Sequence, residues 1–165
     1  MSTMNTLLLG LGNVLLKDDG VGIRVVREVQ GALKKPDGLA IKESALSGLP
    51  LLDLIIGYDR LVIVDAIVTG TRPAGYVHRL EMSQMGETAL ACSPHFTGLP
   101  SVIKFGEACG YRMPTQVEVF AVEVTDPYTF GEGLSPEVEE TVPRLVREIQ
   151  GALQNSHCDQ RSGLS

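Results

Sequence analysis

Leu7-Leu8-Leu9-Gly10-Leu11-Gly12-Asn13 leads into Val14-Leu15-Leu16-Lys17 and then the acidic pair Asp18-Asp19. Residues 6–11 form a short, continuous apolar run bounded by glycines, which is the pattern of a buried strand. The helix expected next, about 20–33, carries Val21, Val25, Val29 and Leu33 at helical spacing. A strand, a glycine-bearing turn and an amphipathic helix in that order predict a unit of a parallel, helix-covered sheet. One of Asp18 and Asp19 is expected to cap the helix, where free amides and the dipole favour a carboxylate, while the other points into the crevice.

Further along, Lys34-Lys35-Pro36-Asp37-Gly38 is a stop, and residues 39–43 read as a second strand. A short helix follows over 49–56, with Pro50 tolerated in its first turn. Residues 61–67 are the most apolar strand and are expected at the centre; Gly75 to Met82 alternates weakly, as a strand nearer an edge does. Residues 83–96 lack periodicity, and an irregular connection of that length is more often functional than idle. A helix from Thr97 or Gly98 to about Cys109, a strand over 116–124 and a last helix opened by Ser135-Pro136 complete the pattern. Ser135 is the expected N-cap of that helix and Pro143 should kink it. The sum is an α/β fold, a three-layer α/β/α sandwich with a mostly parallel sheet of about five strands. It forms one domain over 1–153, and the polar stretch 154–165 is expected to be a disordered tail.

Composition narrows the function. The chain has 165 residues, 44% hydrophobic and 21% charged, with a net charge of −6, which argues against a nucleic-acid footprint. No run of about 18 apolar residues exists to cross a membrane. The three cysteines are widely spaced and odd in number, which predicts a reducing, cytoplasmic setting and no disulfide framework. The N-terminal apolar run has no basic residue before it and no small-residue cleavage site after it, so it reads as a strand and not a signal peptide.

Loops that follow parallel strands share one edge of the sheet, where ligands bind. Asp19 follows the first strand, Asp65 ends the run Leu61-Val62-Ile63-Val64, and His95 lies in Cys92-Ser93-Pro94-His95. Two carboxylates and an imidazole gathered at that edge would make a hard, oxygen-rich metal site with an open face. Each has a plainer reading. Asp19 could be only a cap. Asp65 could be a hydrogen-bonded strand-end carboxylate, although an unpaired one there would cost several kcal/mol. His95 could be an ordinary loop histidine. His78 and His157 read as structural or solvated. Gly10-Leu11-Gly12 invites a dinucleotide reading with Glu43 as the ribose acid, but Leu15 stands where the third glycine belongs, so the close helix–strand contact is expected to be lost. Cys92 with His95 suggests a cysteine nucleophile, without the flanking pattern of one.

Taken together the segments resemble the hydrogenase maturation endopeptidases. The resemblance is carried by Leu9 to Gly22, by Val62-Ile63-Val64-Asp65-Ala66, by Ser93-Pro94-His95 and by Gly133-Leu134-Ser135-Pro136-Glu137-Val138, in the family's order. It implies a cytoplasmic, monomeric endopeptidase of aspartic or metal-assisted type. Such an enzyme removes the C-terminal extension of a nickel–iron hydrogenase large-subunit precursor after nickel insertion. The nickel is carried by the precursor, and no organic cofactor, nucleic acid or membrane is involved. The family's metal-contacting positions fall on Asp19, Asp65 and His95, which serve as both catalytic and metal-binding residues. The first is often glutamate in the family and is aspartate here. Glu43-Ser44-Ala45-Leu46-Ser47-Gly48 departs from the family's aspartate- and glycine-threonine-rich turn, which bears on the rim of the cleft and the choice of precursor. The irregular 83–96 stretch is expected to grip the precursor. The alternative reading is a non-catalytic, metal-dependent chaperone or binding module for a metalloenzyme precursor.

Overall fold

Five apolar runs become the strands of one sheet: β1 (Thr6–Leu11), β2 (Leu39–Ser44), β3 (Arg60–Ile67), β4 (Val77–Glu81) and β5 (Gln116–Glu123). The structure is a computed structural model describing residues 4–34, 37–84, 93, 95 and 97–158. The order across the sheet is β2-β1-β3-β5-β4. The β1–β2, β1–β3 and β3–β5 pairs are parallel, and the edge strand β4 runs antiparallel to β5. β3 takes the central place expected from its composition, and every residue in it is buried.

Alternation along the strands divides the core in two. Leu8, Val62, Val64, Phe120 and Val122 face α1 (Val21–Ala32) and the last helix, α4 (Pro136–Cys158). Leu7, Leu9, Leu61, Ile63 and Val119 face α2 (Leu52–Ile55) and α3 (Leu99–Ala108). Both faces of the sheet are thus covered, as a parallel sheet requires. The short helix expected over 49–56 is a 3-10 turn, Leu49–Leu51, continuing into α2.

Three expectations change. Close helix–strand contact is kept, because Gly22 in α1 supplies it. A Cβ there would overlap the carbonyl oxygens of Val64 and Leu11, so α1 lies almost on the backbone of β1 and β3. Neither Asp18 nor Asp19 caps its own helix, since no side-chain cap bond is made at the 3-10 turn Lys17–Gly20 or at α1. The last helix, with Pro143 inside it, continues to Cys158, into the stretch read as a tail. No glycine or proline interrupts it there.

Strand order reverses at the β1/β3 boundary: from β1 the chain crosses to β2 on one side, and from β3 the sheet extends through β5 on the other. In open α/β sheets the crevice at such a switch point is where ligands bind, outside the carboxyl ends of the strands. Asp19 comes from the connection after β1, and Asp65 from the carboxyl half of β3.

Candidate active site

Asp19 is positioned by the turn that follows β1. Gly12 adopts φ +134°, and a side chain on it would collide with the Asp19 carbonyl, so the loop can fold tightly over Asp19 only with glycine here. The Asn13 N–H donates to Asp19 Oδ2 at 2.7 Å, and Asn13 Oδ1 accepts the Leu15 N–H at 3.0 Å. Asp18 points elsewhere: its Oδ1 accepts the Ser135 N–H at the start of α4, at 2.6 Å. The two acids therefore do split their work, but the one outside the crevice holds a distant helix. The Ser135 hydroxyl, expected as an N-cap, is buried without a hydrogen-bond partner among the described residues.

Asp65 is completely buried. Its Oδ1 accepts the Ala66 N–H at 2.8 Å and its Oδ2 accepts the Ser93 hydroxyl at 2.6 Å. Burial pushes its carboxyl up to about 7, against the pull of nearby His95 and of these two hydrogen bonds; the Asp19 charge adds to the rise. Asp65 is thus neither a surface acid nor an unpaired buried charge.

His95 completes the group. Its Nε2 lies 3.4 Å from Asp19 Oδ1, and its backbone N–H donates to Ser93 Oγ at 3.3 Å. Interaction with Asp19 holds the imidazole above its ordinary value, and the Asp65 charge works in the same direction against the effect of burial. Nδ1 is buried and makes no hydrogen bond among the described residues.

The sequence-predicted residues are therefore brought to one place. Asp19 and His95 are in contact, and both exert their charge on Asp65. They do not form a ready metal cage: among the described residues no three His, Cys, Asp or Glu side chains are spaced to hold one ion. Each oxygen of Asp65 accepts one hydrogen bond, from Ala66 and from Ser93, which leaves it capacity for a further partner. What the arrangement offers as it stands is an acid that titrates near neutrality beside an Asp–His pair, a combination suited to moving protons.

Ser93 is the functional neighbour that sequence reasoning missed. It lies in the quoted Ser93-Pro94-His95 segment, but only the fold shows its hydroxyl joining Asp65 to the backbone of His95. Of the other candidates, Glu43 makes an exposed bidentate pair with Arg27, at 2.7 and 2.9 Å, in place of a ribose contact. His78 Nε2 sits 2.8 Å from Glu123, a buried carboxylate that also accepts the backbone N–H groups of Thr69 and Gly70. Cys92 and most of 83–96 lie outside the described residues, as does the side chain of His157.

Residues 23–152 match the hydrogenase maturation protease family. The chain is 30% identical over 156 residues to the hydrogenase 2 maturation protease of Escherichia coli, covering 93% of each chain. It is 31% identical over 141 residues to the hydrogenase expression/formation protein HupD of Bradyrhizobium diazoefficiens, covering 82% of this chain and 71% of the relative. Its fold matches the E. coli hydrogenase maturating endopeptidase HybD with a TM-score of 0.81 and 28% identity, over 93% of this chain and 94% of the other. The [NiFe] hydrogenase maturation protease HybD of Thermococcus kodakarensis matches with a TM-score of 0.72 and 26% identity, over 90% and 99%. An α/β sheet carrying this acid–histidine group, and a family match over most of the chain, identify the protein as a member of the hydrogenase maturation protease family and an endopeptidase.

Proposed function

We propose that this endopeptidase removes the C-terminal extension of a nickel–iron hydrogenase large-subunit precursor once nickel has been inserted. It acts as a cytoplasmic monomer without an organic cofactor. The observation that carries the reading is the Asp19–His95 contact at the switch point, with Asp65 buried behind it and tied to the same loop through Ser93.

The nickel belongs to the substrate. Asp19 and His95 turn from each other toward the arriving ion, and Asp65 follows by releasing Ser93. Carboxylate and neutral imidazole suit nickel, as they also suit zinc and manganese. Selectivity for the loaded precursor then comes from position: a precursor without metal has nothing to anchor its scissile bond at this edge. For the hydrolytic step, the ion can polarise the scissile carbonyl, and a carboxylate can take a proton from the attacking water. Asp65, with its pKa near 7, is matched to taking that proton at neutral pH.

The test is to incubate the chain with nickel-loaded and nickel-free precursor and weigh the products. Mass should fall for the loaded precursor alone. Asp65→Asn and His95→Ala should each slow the loss by roughly a thousandfold or more. Wild-type rates in both variants would remove these residues from the reaction.

A further inference from the structure

Among the described residues, most of the large apolar side chains that stand exposed are on segments leaving the carboxyl ends of the parallel strands. Leu15 follows β1, Leu46 and Leu49 follow β2, and Tyr128 and Phe130 follow β5. Their exposure is high: Leu15 51%, Leu46 46%, Tyr128 74% and Phe130 80%. Backbone hydrogen bonds sew these loops into one rim. The Gly12 N–H donates to the Ser44 carbonyl at 3.1 Å, which holds the loop after β1 to the end of β2. The Lys17 N–H donates to Gly131 and the Gly131 N–H to Leu15, at 2.9 and 3.0 Å, which joins the loops after β1 and β5. The rim borders the candidate site directly: Asn13, two residues before Leu15, holds Asp19, and the Leu46 backbone interacts with His95. Large apolar side chains exposed on adjoining loops at one edge of a sheet mark a place where something docks.

We propose that this rim is the docking surface for the folded body of the precursor, which would present an apolar patch beside its scissile segment. The inference rests on the proposed function. A peptide bond brought to Asp19 and His95 draws the chain that bears it across these loops, so the rim continues the contact made at the site. Charge disfavours a membrane as the occupant, since the chain carries a net −6 and Asp126 and Glu132 flank the aromatic pair. The apolar contact fixes where the precursor body sits, and the acid–histidine group acts on the bond.

The experiment compares wild type with Leu15→Asp and Phe130→Asp, and with Tyr111→Asp as a control. Tyr111 is also 50% exposed but lies just before β5, at the opposite edge. Thermal melts confirm that each variant folds. Binding of nickel-loaded precursor and its cleavage are then read on the same samples. Each rim variant should raise KM for precursor at least tenfold and weaken binding equally, with kcat kept within about twofold, while Tyr111→Asp matches wild type. Rim variants that bind and cleave as wild type does would overturn the surface. So would sedimentation showing a wild-type dimer that Phe130→Asp splits without loss of cleavage, because the rim would then be a contact between copies. A wild type that binds through the rim but cuts nothing would sink the proposed processing of this precursor and leave the docking surface standing. A wild type that neither binds nor cuts would sink both.

Discussion

Asp65 shows how much a single residue gives up in stability for its place at the site. Its unfolded value is the ordinary 3.8 and its folded value is about 7. Between those limits the folded chain keeps a proton that the unfolded chain has lost. Stability therefore declines as pH rises through this window and levels off above it, by a total on the order of 4 kcal/mol. The raised His95 acts with the same sign, its contribution being lost as pH rises through its folded value. Asp65→Asn removes the ionisation and can still accept from Ala66 and donate to Ser93. Its melting temperature should exceed that of wild type at pH 8 and approach it at pH 4, while cleavage is lost; an equal gap at both pH values would contradict this account. Ser93→Ala should act the other way. It leaves an ionised, buried Asp65 oxygen without its donor, at about 1–3 kcal/mol, and the loss seen by urea denaturation should be larger at pH 8 than at pH 5.

Helix α1 carries a paired test of how closely elements approach. Gly22 faces the sheet, and a methyl group there meets the backbone of β1 and β3, which cannot yield locally. Gly31, on the same helix, has open space around it. Gly22→Ala should destabilise by roughly 3 kcal/mol or more, and Gly31→Ala should stabilise by about 0.5–1 kcal/mol. Denaturant midpoints that move in the same direction for both would refute this placement of α1. The contrast also shows where the sequence was legible. The period and length of each apolar run foretold the strands and their layers, and Asp65 stood out as a charge within such a run. Gly22 did not stand out, because a glycine in a helical pattern reads only as a weak helix former until the helix has a sheet to rest on. Ser93 was hidden for a similar reason. Its partner lies 28 residues away, and only the return of the chain from β4 toward α3 brings them together. Asp18 looked like a local cap because its distant acceptor role leaves no local pattern.

Across the whole molecule, the two cores lie on opposite faces of the sheet, and α4 closes one of them. Leu153 is the last buried side chain described in it, and the Ala152 carbonyl accepts from Arg60 Nη1 at 3.1 Å. We propose 1–153 as the self-sufficient domain. A chain ending at Leu153 should melt within a few degrees of the full chain and cleave equally well. A chain ending at Glu148 lacks Ile149 and Leu153, each worth about 2–4 kcal/mol, and should not fold cooperatively by calorimetry. A further consequence follows from the hydrogen bond between Asp18 and the Ser135 N–H, which spans 117 positions. During synthesis the loop that aims Asp19 lacks this anchor until the start of α4 has left the ribosome. The sheet edge that carries the candidate site is therefore tied to the last helix only late in synthesis, and Asp18→Ala should loosen the start of α4, seen as faster amide exchange at Ser135 and the residues after it.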